Sequence, residues 1–547
     1  MSAPTRLFSG TPVASIEDLV AVYPAAMLTL YHVITESFPG LVTVFSRSVY
    51  ITFVVMVAGL CLLSKKPTCR SIAKTLGVVS HDALTRLLTH SCWNASLLIG
   101  ALMNQVLLLS TGTVVPSVLI LDDVLIPKPF ARWIAGVYWD WDHAQHRRTF
   151  GHRLVVLVWT NGVFVIPVGF ALWHKQHSAY FLGPQASFTE TDYQQFLTQY
   201  PEMSPLLASL VLREADRVIV PLDTLSRWQK VLIPKKAWAV LAEHAATTGR
   251  RYRTKNELAR CLIYRIVRKG VCCDDITFDC WYASQENLNM LTRLGLVYVT
   301  AVPCSRTLNT ACRLRSQSDV ISSPQRVDEV AKTCATRDYV PYPRARLRAL
   351  RLIVTLTRLN HTAQLVIITR QDWHGFLTRT LPADHPIQQH SYPAPNVYLL
   401  TNATAWSTYQ VICHYRSRWT IECLFRDMKQ NLGLGACQHR NLEAVTRHIA
   451  LVMFAYVCLQ LVRRNFADLQ PVQASILTIG EVKKRLQSQV VVSGMNVETD
   501  GILEGKNLPM PREIFEQLTG PARPAVISDS TSMMLESPAI KELYNDA

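Results

Sequence analysis

The chain of 547 residues is 49% hydrophobic and 18% charged, with a formal net charge of +16. That length and apolar content exclude a disordered or fibrous protein and imply roughly two to four domains. The basic balance, with a pI near 9.3, points to a polyanionic partner, nucleic acid ahead of a membrane surface.

The fourteen cysteines are dispersed and form no CxxC pair, so they read as reduced and packed, as in a cytoplasmic protein, and not as disulfides or zinc ligands. No signal peptide is expected, because the first apolar stretch lacks a basic flank. Residues 16–110 read as helical. Within them "SIAKTLGVVSHDALTRLL" (71–88) has the form of a helix-turn-helix, with the turn at Gly77 and Ser80 and Asp82 opening the second helix, although two ordinary antiparallel helices would read alike. The apolar runs 50–63 and 449–462 are shorter than the roughly 20 residues of a spanning helix, so both are expected as core helices and no membrane partner is expected.

Next, "VPSVLILDDVLIPKP" (115–129) reads as a buried strand ending at Asp122 and Asp123. After a loop with His143, His146 and His152, whose spacing matches no zinc pattern, residues 153–173 form two strands about Asn161-Gly162, a strong hairpin signal. Residues 185–270 read as mixed and mostly helical. The stretch 276–302 reads strand, loop, helix, strand, with Asp279 closing the first strand, Ser284 capping the helix and Gly295 ending it.

The proline-rich segment 303–405 reads as a small β-rich insertion, its strands marked by "LIVTLT", "AQLVIIT" and "NVYLLT", and its basic run "RARLRALR" (344–351) as a DNA-backbone contact, although alternating arginines on an exposed strand would read alike. A long helix is then expected from a capping box at Ser407 and Gln410 to Gly433, followed by further helices to about 485 and a loosely ordered tail.

On that helix, at about 100° per residue, Tyr415, Arg418, Glu422 and Lys429 share an arc of about 60°. Alone, this would be a solvated charged stripe. Two strands elsewhere end in aspartates, however, and such a sheet can gather carboxylates from strands and a helix at one edge. Three carboxylates there would repel one another unless cations intervened, and hard oxygen ligands suit two Mg²⁺ or Mn²⁺ ions acting on a phosphodiester.

The spacing Tyr415, Arg418, Glu422, Lys429 resembles the Y-x2-R-x3-E-x6-K signature of the DDE transposases of bacterial insertion sequences. "LILDDV" is similar to that family's first-aspartate strand, usually aspartate, any residue, threonine. This register selects Asp122, with Val124 in the threonine's place and Asp123 as the alternative. "FDCWYAS" is similar to the second block through Asp279 and Tyr282, and the resemblance extends over roughly residues 115–465.

The resemblance implies an α/β fold with a ribonuclease H-like mixed sheet, interrupted by the β-rich insertion, plus helical N- and C-terminal domains. In numbers, 1–112 would be a helical DNA-binding domain, 113–302 the first part of the catalytic core, 303–405 the insertion, 406–440 the last core helix and 441–547 a helical region with the tail. Asp122, Asp279 and Glu422 would bind two Mg²⁺ ions, with Mn²⁺ able to substitute, and Tyr415, Arg418 and Lys429 would contact DNA phosphates.

The activity implied is cut-and-paste transposition: cleavage at the element's terminal inverted repeats and 3′-hydroxyl transfer into target DNA. A homodimer would act in a paired-end complex in the bacterial cytoplasm, near the nucleoid. The alternatives are an inactive DNA-binding protein on this scaffold or a metal-dependent nuclease without strand transfer. Trp373 in the insertion is a candidate for base stacking, with a core role the simpler reading, and Cys423 reads as packing.

Overall fold

The computed structural model describes residues 25–492 apart from 64–66, 111–115, 132–133, 143–144, 176–180, 215, 226, 248–249, 314–318, 322, 335–337, 343–346, 369–396 and 470–476. Trp373, His143 and the expected tail therefore lie outside the described residues, as do the first residues of the "RARLRALR" run. The described chain divides into two compact units. One combines residues up to 105 with 426–437 and the residues from 447 on, the other 106–425 and 438–446.

The described residues begin with helices α1 (Ala25–Ser37), α2 (Gly40–Val44), α3 (Arg47–Leu62), α4 (Cys69–Leu76), α5 (His81–Thr89) and α6 (Ala95–Ser110). After Arg47, α3 carries no charge, and residues 52–63 are buried without a break, so it forms the axis of the first unit. Glycine at position 59 lets α4 approach α3, because a Cβ there would lie 2.6 Å from carbons of Ile72.

The carbonyls at the end of α3 have no partner within the helix. Lys483 and Gln487 of the helix Ile479–Val492 donate to Leu60 O and Leu62 O at 3.4 and 2.6 Å. The expected core helix at 449–462 lies within Leu442–Leu469. Its stretch Leu442–Asn465 is long and apolar enough to cross a membrane by composition, yet 94% of its most apolar window is buried inside the protein.

Helices α4 and α5, joined by a turn at Gly77, stand where the sequence places two helices, an arrangement common to a helix-turn-helix and to two ordinary antiparallel helices. Thr68 and Ser71 make a capping box on α4, Gly77 takes φ 69° in the turn, where a side chain would be strained, and Ser80 caps α5 through Ala83 N at 3.1 Å.

In the second unit a mixed sheet begins with β1 (Val118–Pro127), β2 (Tyr138–Asp142), β3 (Arg147–Thr160) and β4 (Val165–Trp173), the last two joined about Asn161-Gly162 as expected. The chain then builds a separate four-stranded sheet from β5 (Leu182–Thr189), β6 (Leu212–Glu214), β7 (Arg217–Pro221) and β8 (Ala245–Thr247). Its helices are α7 (Glu190–Gln199), α8 (Met203–Leu207), α9 (Arg227–Leu232) and α10 (Lys235–Glu243). Phe188, Phe196, Met203, Val218 and Leu241 share its core. The stretch 185–270 is mixed and mostly helical, as expected, and this small sheet is its strand part; β6 and β8, at three residues each, are too short to show a period in the sequence.

Helix α11 (Lys255–Arg268) returns the chain to the main sheet, followed by β9 (Asp275–Phe278), α12 (Gln285–Arg293) and β10 (Val297–Ala301). Ser284 caps α12 and Gly295 follows it with φ 72°, as the sequence indicates. Then come β11 (Thr307–Arg313), β12 (Asp319–Ile321), β13 (Gln325–Arg326), α13 (Val327–Thr333), β14 (Val340–Tyr342), β15 (Leu347–Leu356), β16 (Ala363–Ile368) and β17 (Val397–Thr401).

The sheet order is β12-β11-β15-β16-β17-β10-β9-β1-β3-β2, with β4 also on β3. Among the described strands, the parallel pairings are β1 with β9 and β9 with β10. The β-rich segment expected at 303–405 is rich in strands, and they extend the main sheet through β17 on β10 and β16 on β17. Finally, the expected single helix from 407 to 433 is two, α14 (Thr408–Arg416) and α15 (Trp419–Asn431). Between them Arg418 N donates to Tyr415 O and Ile421 N to Arg418 O, the tighter i to i−3 pattern of a 3₁₀ turn.

Candidate active site

Strand β1 does not stop at its aspartates, as the sequence suggested; it runs to Pro127 because β3 keeps pairing with it as far as Gly151. Its parallel pairing with β9 does stop there. Leu121 is in register with Phe278, and the next residues on the two strands are Asp122 and Asp279. Two aspartates thus follow the last paired residues of adjacent parallel strands, at the carboxyl end of β9, where a ligand crevice is expected.

Alternation along the strands decides which face each side chain takes. Asp275, Thr277 and Asp279 share one face of β9, and Asp275 there accepts from His414 Nδ1 of α14 at 2.8 Å. This buried contact fixes α14 against β9. Burial pushes the Asp275 carboxyl up, against the opposing pull of His414. Asp122 shares the α14 face, and Asp123, one residue on, takes the other.

On that other face Asp123 is saturated. Arg153 Nη1 of β3 donates to it at 3.1 Å, Lys255 Nζ of α11 at 3.0 and 3.1 Å, and Tyr282 Oη at 2.9 Å. Arg153 is held in turn by Asp140 of β2 and the carbonyl of Trp141. Lys255 Nζ also lies 5.0 Å from the Trp281 ring and 5.3 Å from that of Trp173. Tyr282 was legible as part of the second-aspartate block; Arg153 and Lys255 lie in basic stretches that give no signal of this partner.

On the α14 face the charges do not balance. Arg418, in the turn between the helices, donates through Nη1 to Asp122 Oδ2 at 2.9 Å and through Nη2 to Glu422 Oε1. Asp279 caps the 3₁₀ helix Cys280–Tyr282 by accepting from Trp281 N at 3.0 Å. Burial, opposed by Arg418 and reinforced by Asp279, pushes the Asp122 carboxyl up to about 7. Burial and the charge of Asp123 push Asp279 up as well. Burial works against the charge of Arg418, yet Asp122, Tyr415 and Glu422 outweigh it and raise its pKa.

The other expected positions are distributed around this cluster. Tyr415, on α14, packs its ring against the core of Val299, Val366 and Leu399, with Arg418 6.0 Å from the ring centre. Lys429 is exposed two turns beyond Glu422 on the same face of α15. Cys423 is half-buried on α15, as the packing reading expects. Of the histidines, His152 is 1% exposed and its Nε2 is 2.8 Å from Ala135 O; burial lowers its pKa to about 4, so it is a neutral core residue. His146 sits in the β2–β3 turn with φ 47°.

The sequence of residues 41–319 matches the family model described as DDE superfamily endonuclease, just over half of the chain. The chain belongs to the DDE superfamily. A second model, described as a transposase DDE domain, matches residues 262–458, so Asp122 and Asp279 fall in the first match and Asp279 and Glu422 in the second. No curated protein matches the chain.

For a DDE-superfamily chain a divalent cation is the implied cofactor. The donor set fits one: three carboxylates, all hard oxygen ligands, two of them pushed up by burial and neighbouring negative charge that a cation would relieve. As the side chains stand, no three His, Cys, Asp or Glu residues among those described are gathered tightly enough to hold a metal. Arg418 supplies the positive charge in their place.

Proposed function

We propose that this DDE-superfamily protein is a cut-and-paste transposase of the insertion-sequence type, acting on the inverted repeats of its element through a ribonuclease H-like core. The observation that carries the reading is that Asp122 and Asp279 follow the last paired residues of adjacent parallel strands, with Glu422 joined to Asp122 through Arg418. The antiparallel β4-β3-β1 side followed by parallel β1, β9 and β10 supports the ribonuclease H-like assignment. The saturated contacts of Asp123 favour Asp122 as the first member of the triad.

In this reading Asp122, Asp279 and Glu422 hold two Mg²⁺ ions, for which Mn²⁺ can substitute. Bound there, the ions would supply Lewis-acid activation of the attacking oxygen and charge neutralisation on the leaving one. The chain's own residues fix the geometry. Asp123 ties β1 to β3, α11 and Tyr282, and Asp275 with His414 ties α14 to β9, so the three carboxylates keep their relation while DNA enters.

Arg418 and Lys429 position phosphates, which matters because phosphate contacts set register without reading sequence. The helix-turn-helix at α4 and α5 is the natural reader of the terminal repeat. In the first step, water adds to the scissile phosphorus and the element's 3′ oxygen leaves as a hydroxyl. In the last, that hydroxyl attacks a target phosphate, forming one phosphodiester as the target's bond breaks and its 3′ oxygen takes the proton. A homodimer pairing two ends is the working assembly in this reading.

The test is Glu422→Ala on DNA carrying the repeats that border the gene. Cleavage in Mg²⁺ is expected to vanish while end binding by gel shift stays within about threefold, because the carboxylate serves metal and not DNA. Joint loss of binding and cleavage would refute its assigned role. Cleavage without any joining of 3′ ends to a target would reduce the protein to a nuclease.

A further inference from the structure

Two of the oxygens a metal could use, Asp122 Oδ2 and Glu422 Oε1, accept hydrogen bonds from Arg418. Arg418 alone bridges Asp122 of β1 and Glu422 of α15, and no three ligand-type side chains stand close enough to bind an ion among the described residues. Guanidinium is charged at every working pH and offers donors in a fixed fork, so it and a cation cannot use the same carboxylate lone pairs at once.

Three features make the contact exchangeable. The side chain is 22% exposed, so a phosphate can reach it from solvent. Its backbone lies in the 3₁₀ turn between two helices and not within either. And a guanidinium fork pairs with phosphate as well as with carboxylate.

We propose that Arg418 is a resident counter-ion that competes with divalent cations for Asp122 and Glu422, and that a DNA phosphate draws it away, so that DNA and metal binding promote each other through this side chain. The proposal rests on the assignment of the three carboxylates as metal ligands. In the DNA-free protein the arginine occupies Asp122 Oδ2 and Glu422 Oε1 and opposes metal binding there. When a phosphate recruits the guanidinium, the oxygens are released, and by linkage metal binding must strengthen phosphate binding by the same factor. Cleavage competence would then arise only where DNA is present, which limits stray hydrolysis.

A merely structural clamp makes the opposite prediction, since loss of the arginine would scatter the carboxylates and weaken metal binding. The test is Mn²⁺ binding to the full chain without DNA, by calorimetry and by the paramagnetic resonance signal of free Mn²⁺, for the wild type, Arg418→Gln, Arg418→Lys and Asp122→Asn. R418Q is expected to bind Mn²⁺ roughly tenfold tighter than wild type, with R418K between them because an ammonium lacks the fork.

Adding a duplex of the terminal repeat, pre-cut and ending in a dideoxynucleotide, should tighten Mn²⁺ binding by the wild type more than by R418Q. Equal or weaker Mn²⁺ binding by R418Q, or by R418K should R418Q fail to fold, overturns the proposal while leaving the triad assignment intact. Mn²⁺ binding that D122N does not diminish, with or without DNA, overturns both.

Discussion

Asp122 and Asp123 are neighbours on one strand, yet the two faces of the sheet treat them in opposite ways. On the α11 face Asp123 meets two cations and a tyrosine hydroxyl, and all side chains of the ion network are less than 20% exposed. On the α14 face one guanidinium bonds Asp122 and Glu422 beside Asp279, and burial pushes the Asp122 carboxyl up to about 7. Charge balance, not residue type, separates the structural aspartate from the functional one. A fully paired buried charge holds elements together; an underpaired one is a place for something to bind.

The largest effect should come from breaking the balanced side. Asp123→Ala removes the carboxylate that Lys255 pairs with and leaves Arg153 with Asp140, and removing one partner of such a buried network costs about 3–5 kcal/mol. Urea unfolding should register that loss directly. A shift of less than about 1 kcal/mol would mean that the network is decoration and that Asp123 must be reconsidered as the metal ligand.

On the other side the sign reverses. A carboxyl held above its unfolded value of 3.8 destabilises the folded state once ionised, and this cost appears as pH rises from that value through about 7. In metal-free protein, Asp122→Asn should therefore stabilise by about 1–3 kcal/mol at pH 8, with the gain fading as pH falls toward 4, even as cleavage is lost. Equal destabilisation by D122N and D123A would erase the distinction between the faces.

How much of this was legible in the sequence depends on the range of the interaction. The hairpin at Asn161-Gly162, the caps at Ser80, Ser284 and Ser407 and the turn at Gly77 between two helices are local, and each stands where its residues place it. The carboxylates came through spacing on one helix and through two strand blocks. What the sequence could not show is non-local: that β1 continues past its aspartates because β3 still pairs with it, and that Lys255, 132 residues away, ends on Asp123. The break at Ser417 and Arg418 was hidden because helical periodicity over Tyr415, Arg418 and Glu422 survives a single tight turn.

The smallest expected effect separates the two cations of the signature. Arg418 is committed to carboxylates, whereas Lys429 is exposed two turns away on α15, so their loss should not look alike. If Lys429 serves only phosphates, Lys429→Ala should weaken binding to end DNA and to unrelated DNA by a similar factor, about three- to tenfold at moderate salt. It should lower the slope of log affinity against log salt by about 0.9 and leave metal affinity without DNA untouched. Were K429A instead to change Mn²⁺ affinity as R418Q does, the two cations would act as one unit, and the underpaired face would extend along α15 beyond the three carboxylates.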